Sequence, residues 1–171
     1  MLQSNLQQIR DEVYFLKRET LFLKIAVFLM GLPVLSLCVF VVPRVAMKAA
    51  QHFPKATLLA VIAVYATAIA YFVALYMTIK LLSYIDQNIA FSERSVKALI
   101  NIKYCAIVIS SLYLVGMPMI YYVAEVDDAP GLIIIGMVII FASFIVAVFA
   151  AVLQKLLKNA IDIKSENDLT V

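Results

Sequence analysis

The fold class this sequence predicts is an all-α membrane protein: four transmembrane helices in a bundle, with an amphipathic N-terminal helix and cytoplasmic extensions. Three observations carry that prediction. Of 171 residues, 65% are hydrophobic and only 15% are charged, with a mean hydropathy of +1.01, well outside the composition of soluble domains. Four apolar runs reach the roughly 20 residues that a helix needs to cross a hydrocarbon core. None of them alternates polar and apolar residues as a barrel strand would, so helices must satisfy the backbone. The whole chain, 1–171, reads as a single membrane domain.

Residues 1–20 form the first element. Leu2, Leu6, Ile9, Val13 and Leu16 recur at alternating steps of four and three, which is the apolar stripe of an amphipathic helix. Span one covers 21–42. Its one charge, Lys24, lies a turn inside the boundary and is expected to snorkel to the headgroups. Gly31-Leu32-Pro33 should kink it. A loop then runs from Pro43 to Pro54, where Arg44, Lys48 and His52 fall at four-residue spacing, suited to one face of a short helix.

Span two, 56–79, is uncharged and carries the small-residue stripe Ala66, Ala70, Ala74, which permits close helix approach. Tyr71 and Tyr76 are placed to hydrogen-bond within the bundle or to face an interface. The polar hairpin 80–103 follows. Ser92 before Glu93, with Val96, Leu99 and Ile100 beyond, is an N-cap signal leading into an amphipathic turn. Span three, 104–124, has a second Gly-x-Pro at Gly116-Met117-Pro118 and ends in Tyr121-Tyr122. A short acidic turn (Glu125, Asp127, Asp128) leads to span four, 131–153, with Ser143, Ala147 and Ala151 as its small stripe. In the tail, 154–171, Leu156, Ala160 and Ile163 continue the helical spacing, and 165–171 reads as a polar, flexible end.

Positive charge sets the orientation. Arg10, Lys17, Arg18, Lys80, Arg94, Lys97, Lys103, Lys155, Lys158 and Lys164 flank one side of the spans. Only Arg44, Lys48 and Lys55 flank the other. Cytoplasmic loops hold the excess of Lys and Arg, so both termini and the hairpin are expected in the cytoplasm of a multi-pass cell-membrane protein.

The two halves also correspond. Gly-x-Pro recurs in spans one and three, a small stripe in spans two and four. Lys-Leu-Leu, Ile-Asp and Ser-Glu then follow in order, at 80–82, 85–86 and 92–93 and again at 155–157, 161–162 and 165–166. A parallel duplication would relate the halves by an axis along the membrane normal and give spans two and four equivalent positions.

Several function classes find no support. Cys38 and Cys105 lie in apolar runs without a second ligand at metal spacing. No Gly-rich phosphate loop, Ser–His pair, intramembrane Asp pair or His-Glu-x-x-His motif occurs. No cofactor or metal is expected, and the chain is read as non-enzymatic. Its basic residues are spread along membrane flanks and form no basic face for direct nucleic-acid binding.

The run Lys80-Leu81-Leu82, Ile85-Asp86, Phe91-Ser92-Glu93, Ser95-Val96, Leu99, Ile102-Lys103 resembles the middle of a bacterial four-span family. So does the ending Glu166-Asn167-Asp168-Leu169-Thr170-Val171. This is the YoaS-like group of integral membrane proteins, domain-of-unknown-function family 2975. The resemblance covers nearly the whole chain, and the acidic-Leu-Thr-Val ending is its most specific part. Many relatives carry a Gly before the central Phe and before the closing tail, where this chain has Gln87-Asn88-Ile89-Ala90 and Lys158-Asn159-Ala160. The resemblance implies a non-enzymatic membrane protein, often encoded beside a small helix-turn-helix regulator, and it carries over no catalytic residues.

The functional expectation is a regulatory or interaction protein working through its cytoplasmic face. Its partners are the lipid bilayer and a cytoplasmic protein, a small DNA-binding regulator being the concrete case; a homo-oligomer is compatible with the same reading. Candidate partner-binding residues are Asp86, Asn88, Phe91, Ser92, Glu93, Arg94, Glu166, Asp168, Leu169 and Val171. Each also has a plainer use in capping, turn formation or headgroup contact. The alternatives are a small oligomeric transporter or channel, against which the lack of charge inside spans two to four argues, and an accessory or immunity subunit.

Overall fold

The computed structural model describes residues 20–51, 54–87, 89–126 and 128–169. The N-terminal stripe up to residue 19, His52, Asn88 and Val171 lie outside the described residues. Four long helices result. The first, α1, occupies residues 20–50 and contains a π-helical segment, Leu37–Val41, followed by α-helix over Val42–Ala50. The others are α2 (Pro54–Asp86), α3 (Glu93–Val126) and α4 (Gly131–Leu169). All four are long and apolar enough to cross a membrane, and the described residues contain no strand.

The loop expected from Pro43 to Pro54 is largely helix. Pro43 falls inside the continuing helix of α1, and Pro54 opens α2, a position where its missing N–H costs nothing. The π segment makes the first of these possible. The Val42 N–H bonds to the Leu37 carbonyl, five residues back, rather than to Cys38, and Pro43 has no N–H to offer. The Cys38 carbonyl therefore loses its helical donors. The Tyr65 hydroxyl of α2 donates to it at 3.3 Å. About two turns nearer the start of α1, Tyr71 donates to the Met30 carbonyl at 3.1 Å. Gly31 lets α2 approach at this level, since a Cβ there would lie 3.2 Å from Leu75 Cδ1. Tyr65 of α2 thus serves the backbone that Pro43 and the π segment disturb, and Tyr71 adds a second bond to the backbone of α1. The sequence pointed to Tyr71 and passed over Tyr65.

Neighbouring helices run antiparallel, as their paired positions require. Met77 of α2 accepts from Asn101 of α3 at 3.7 Å. Along α3 and α4, Lys103 donates to Gln154 at 3.1 Å, Ser110 to the Ile140 carbonyl at 3.4 Å, and Met117 and Ile120 close over Gly136. The α3–α4 packing is the most extensive, followed by α2–α3, with α3 lying between α2 and α4. On α4 the inward face is Gly136, Ile140, Ser143, Ala147, Ala150 and Gln154, small residues at three- and four-residue steps that allow close backbone approach. The turn joining α3 to α4 is closed by Ala129 N–H to the Ala124 carbonyl at 2.9 Å. Asp128 takes φ 49° there, the left-handed region that Asp tolerates better than most residues.

The two Gly-x-Pro motifs are not used alike. Gly31 meets Leu75 and Phe72, while Gly116 has nothing within 4 Å and the tight glycine of the second half is Gly136. In this respect the halves pack differently, against the equivalence a duplication calls for.

Burial is concentrated at one end. Ser95, Val96, Ala98, Leu99, Ile102 and Ala106 are all buried in the first half of α3, whereas the middle of each span exposes Leu, Ile, Val and Phe broadly. Such surface is covered by acyl chains in a bilayer. The glycines test this packing. Gly116→Ala is expected to leave thermal stability in detergent unchanged or raise it by about 0.5–1 kcal/mol, the helix cost of Gly. Gly136→Leu is expected to lower it by about 1–3 kcal/mol through overpacking on Met117.

Candidate functional site

The densely packed end is the end that carries the hairpin, and its parts can be built up from the helix termini. The last turn of α2 closes with Gln87 N–H to the Ser83 carbonyl at 3.3 Å and Ile89 N–H to the Tyr84 carbonyl at 3.0 Å. Those bonds satisfy carbonyls that a helix C-terminus leaves open. The chain then turns through Phe91 and Ser92 into α3. Ser92 is the residue before the first helical position, as its sequence context predicts, and its carbonyl accepts from Ser95 and Val96 N–H. Its hydroxyl lies 3.4 Å from the Ser95 hydroxyl, so the side chain meets the third helical residue's own hydroxyl. Glu93 sits in the first turn, where a carboxylate is favoured by the helix dipole.

Ser95 is fully buried at 0% exposure. Its hydroxyl reaches the Ile89 carbonyl at 3.5 Å, tying the start of α3 to the end of the connection. With Val96, Ala98, Leu99 and Ile102 it forms the apolar base of the hairpin.

Asp86, the last residue of α2, holds the second tie. Its carboxylate accepts from the Lys24 ammonium and the Thr20 hydroxyl of α1. Lys24 was expected to reach for headgroups; it turns instead to Asp86, an acidic group that antiparallel packing brings alongside. The pair is partly buried, with side-chain exposures of 27% and 22%. A charge at such a boundary is costly alone and tolerable when paired. Asp86 therefore acts inside the protein, as a structural anchor of the hairpin.

The remaining candidates separate by position. Phe91 is 63% exposed, and Glu93 and Arg94 are exposed beside it, with Ser92 half-buried. On α4 the helix runs through to Leu169, beyond the flexible end expected from Ser165. No Gly or Pro follows Gly136 to stop it, and the Ser165 hydroxyl bonds back to the Asp162 carbonyl at 2.8 Å. Glu166 is exposed on this extension, Asp168 and Leu169 are placed by their backbone only, and Val171 and Asn88 lie outside the described residues. Because α3 and α4 are antiparallel and joined at Lys103–Gln154, ten residues back along α3 and ten forward along α4 reach about the same level. That places the hairpin tip beside residues 162–164 in height. Lys80 and Lys103 lie over the rings of Tyr76 and Tyr104, at 6.0 and 5.2 Å from the centroids, the lysine–aromatic grouping of a membrane boundary.

A second concavity lies between α2 and α3 toward the opposite end. It measures about 110 Å³ and is lined by Ala63, Val64, Thr67, Tyr113, Gly116 and Met119. The Thr67 hydroxyl is turned to the Val64 carbonyl at 2.7 Å, so the cleft is apolar. Among the described residues no three His, Cys, Asp or Glu side chains gather at metal-binding distance.

A family of proteins of unknown function (DUF2975) matches residues 16–171, which takes in every element described above. The chain belongs to this family. It is also 61% identical over 158 residues to the uncharacterized membrane protein YoaS of Bacillus subtilis strain 168, covering 91% of this chain and 99% of that protein. No solved structure matches the chain. A relative described as a membrane protein agrees with the four helices long and apolar enough to span a bilayer, and the family match agrees with the resemblance read from the hairpin and the tail.

The buried hydroxyl offers a direct test of the hairpin base. Ser95→Ala is expected to cost about 1 kcal/mol or less, the loss of one modest hydrogen bond. Ser95→Leu has no space to occupy and is expected to cost about 1–3 kcal/mol. Limited proteolysis at the 87–92 connection, together with the thermal midpoint, should show the second variant opening first at the hairpin.

Proposed function

We propose that this protein is a non-enzymatic regulatory or interaction protein of the bacterial cell membrane, acting through a cytoplasmic face made by the hairpin and the extension of α4. The observation that carries this reading is the contrast at the hairpin. A rigid base, anchored by Ser95 and by the Asp86–Lys24–Thr20 contacts, presents an exposed aromatic, Phe91, beside exposed Glu93 and Arg94. An aromatic and an arginine on a preorganised support are the residue types that dominate protein interfaces, and rigidity lowers the entropy that binding must overcome.

The partner is a soluble cytoplasmic protein, and a small helix-turn-helix regulator held at the membrane is the concrete case that the family resemblance supports. Orientation rests on the Lys and Arg excess flanking the hairpin end. Reporter fusions give its test: a fluorescent protein fused after Val171 is expected to fluoresce, and alkaline phosphatase at the same point to be inactive. Active phosphatase there would reverse the topology and remove the cytoplasmic face.

The interaction is tested by capture from detergent-solubilised membranes. Wild-type chain, the double variant Phe91→Ala with Arg94→Glu, and a chain ending at residue 163 are compared at equal amounts of folded protein. The expected outcome is loss of the captured regulator with the double variant, and weakening when residues 164–171 are removed. An unchanged set of captured proteins for both would count against this function. The runner-up, a small transporter, has the α2–α3 cleft as its one supporting feature, and flux in proteoliposomes would favour it.

A further inference from the structure

The opposite face of α4 from the one packed on α3 is exposed among the described residues. Stepping by three and four from Ile135, it passes through Ile145, Phe149, Val152, Leu156 and Ile163, every one of them exposed. Within the membrane this needs no explanation, because acyl chains cover exposed apolar faces on every helix. The continuation does. α4 is 39 residues long, about 58 Å at 1.5 Å per residue, against a hydrocarbon core of about 30 Å. From Lys155 onward the helix carries Lys158, Asp162, Lys164 and Glu166, so it has left the hydrocarbon. There Leu156 and Ile163 are still 59% and 66% exposed, two turns apart on one line, with Asn159 between them at the intervening position.

We propose that this face of α4 is a self-association surface, along which two copies of the chain pair as a parallel two-helix coiled coil that begins in the membrane and extends beyond it. Three features favour a second copy over another occupant. The stripe keeps a 3.5-residue repeat across the membrane boundary, the period that holds one face toward a partner helix in a left-handed supercoil. Membrane insertion gives every copy the same direction, so a two-fold axis along the membrane normal puts each residue of the stripe opposite itself. Asn159 is the residue for which that matters. It is the one polar group between two apolar positions, and its amide both donates and accepts, so it bonds an identical amide in register. A polar group in an apolar seam is costly unless it is hydrogen-bonded, and the facing amide supplies that partner.

Charge stays off the seam as far as Ile163. In the same register Lys155 and Asp162 flank the seam on one side, while Leu153, Ala160 and Asn167 flank it on the other. In a parallel pair one flank faces the other flank of the partner helix, so Lys155 meets an uncharged position and no like charges are opposed along the flanks. Glu166 is the next seam position after Ile163, where the two-fold would set it against its own copy, so the close pairing ends before it.

The inference is independent of the partner proposed above, and its test reads association alone. In a full-length chain carrying Cys38→Ala and Cys105→Ala, single cysteines are introduced by Leu156→Cys, Ile163→Cys and Lys158→Cys, and native membranes are oxidised. Disulfide-linked dimers at twice the 19.0 kDa chain mass are expected for the first two and absent for Lys158→Cys, which lies off the seam. Ile163→Asp, with helix content unchanged by circular dichroism, is expected to convert the wild-type dimer seen by in-membrane chemical cross-linking to monomer. Cross-linking that is equal at all three cysteine positions, or that is missing from both seam positions, overturns the proposal. So does a dimer that survives Ile163→Asp.

Discussion

The contact between Lys24 and Asp86 holds together two parts of the chain that are 62 residues apart. It links the beginning of the first span to the last residue of the second, and Thr20 adds a hydroxyl to the same carboxylate. The strength of such a pair depends on its surroundings. Two unit charges about 4 Å apart attract by about 1 kcal/mol in water and about 4 kcal/mol at the effective dielectric of a protein surface. A lipid boundary on one side moves this pair toward the second case. It also makes either charge expensive alone. The result is a fixed corner where α1, α2 and the hairpin meet.

The rest of the architecture follows from the shortage of other specific contacts. Helices that lie in lipid gain little from burying Leu against Leu, because acyl chains offer the same surroundings. Close approach and hydrogen bonds must do the selecting. α4 approaches α3 through Gly136, Ala147 and Ala150, and α1 is held to α2 by the hydroxyls of Tyr65 and Tyr71. The first of these two contacts exists because the π segment and Pro43 disturb the helical bonding of α1. The π segment and the Tyr65 bond are one feature: a carbonyl without its backbone donor is satisfied by a neighbouring helix. Toward the hairpin the chemistry changes. Ser95, Val96, Leu99 and Ile102 make a buried cluster of the kind found in soluble proteins, and the exposed Phe91, Glu93 and Arg94 stand on it.

The spans were legible in the sequence because hydropathy and length decide them, and the Ser92–Glu93 helix start because capping is local chemistry. The helix extension beyond Leu153 was legible from Leu156, Ala160 and Ile163. Its continuation past Ser165 was not, since polar residues look alike in a helix and in a frayed end. The loop between Pro43 and Pro54 was overestimated because proline reads as a breaker, while a five-residue backbone bond before it lets the helix run on. Asp86 was singled out as part of the polar hairpin, and only antiparallel packing reveals Lys24 across from it. A single base one turn inside span one and a single acid at the end of span two were the available signal. Tyr65 and Ser95 gave none, because nothing local marks a hydroxyl that finds its acceptor on another helix or six residues away.

A double-mutant cycle on Lys24 and Asp86 tests most directly whether this pair anchors the hairpin. Unfolding free energies would be measured in one detergent for wild type, Lys24→Ala, Asp86→Ala and the double variant. If the pair is the anchor, each single variant removes the attraction between the two charges at the boundary and loses about 1–3 kcal/mol, between exposed and buried pairs. The double variant then loses clearly less than the sum of the singles, with a coupling of about 1 kcal/mol or more. Losses that simply add, to within about 0.5 kcal/mol, would show that Lys24 and Asp86 act independently and would contradict the account.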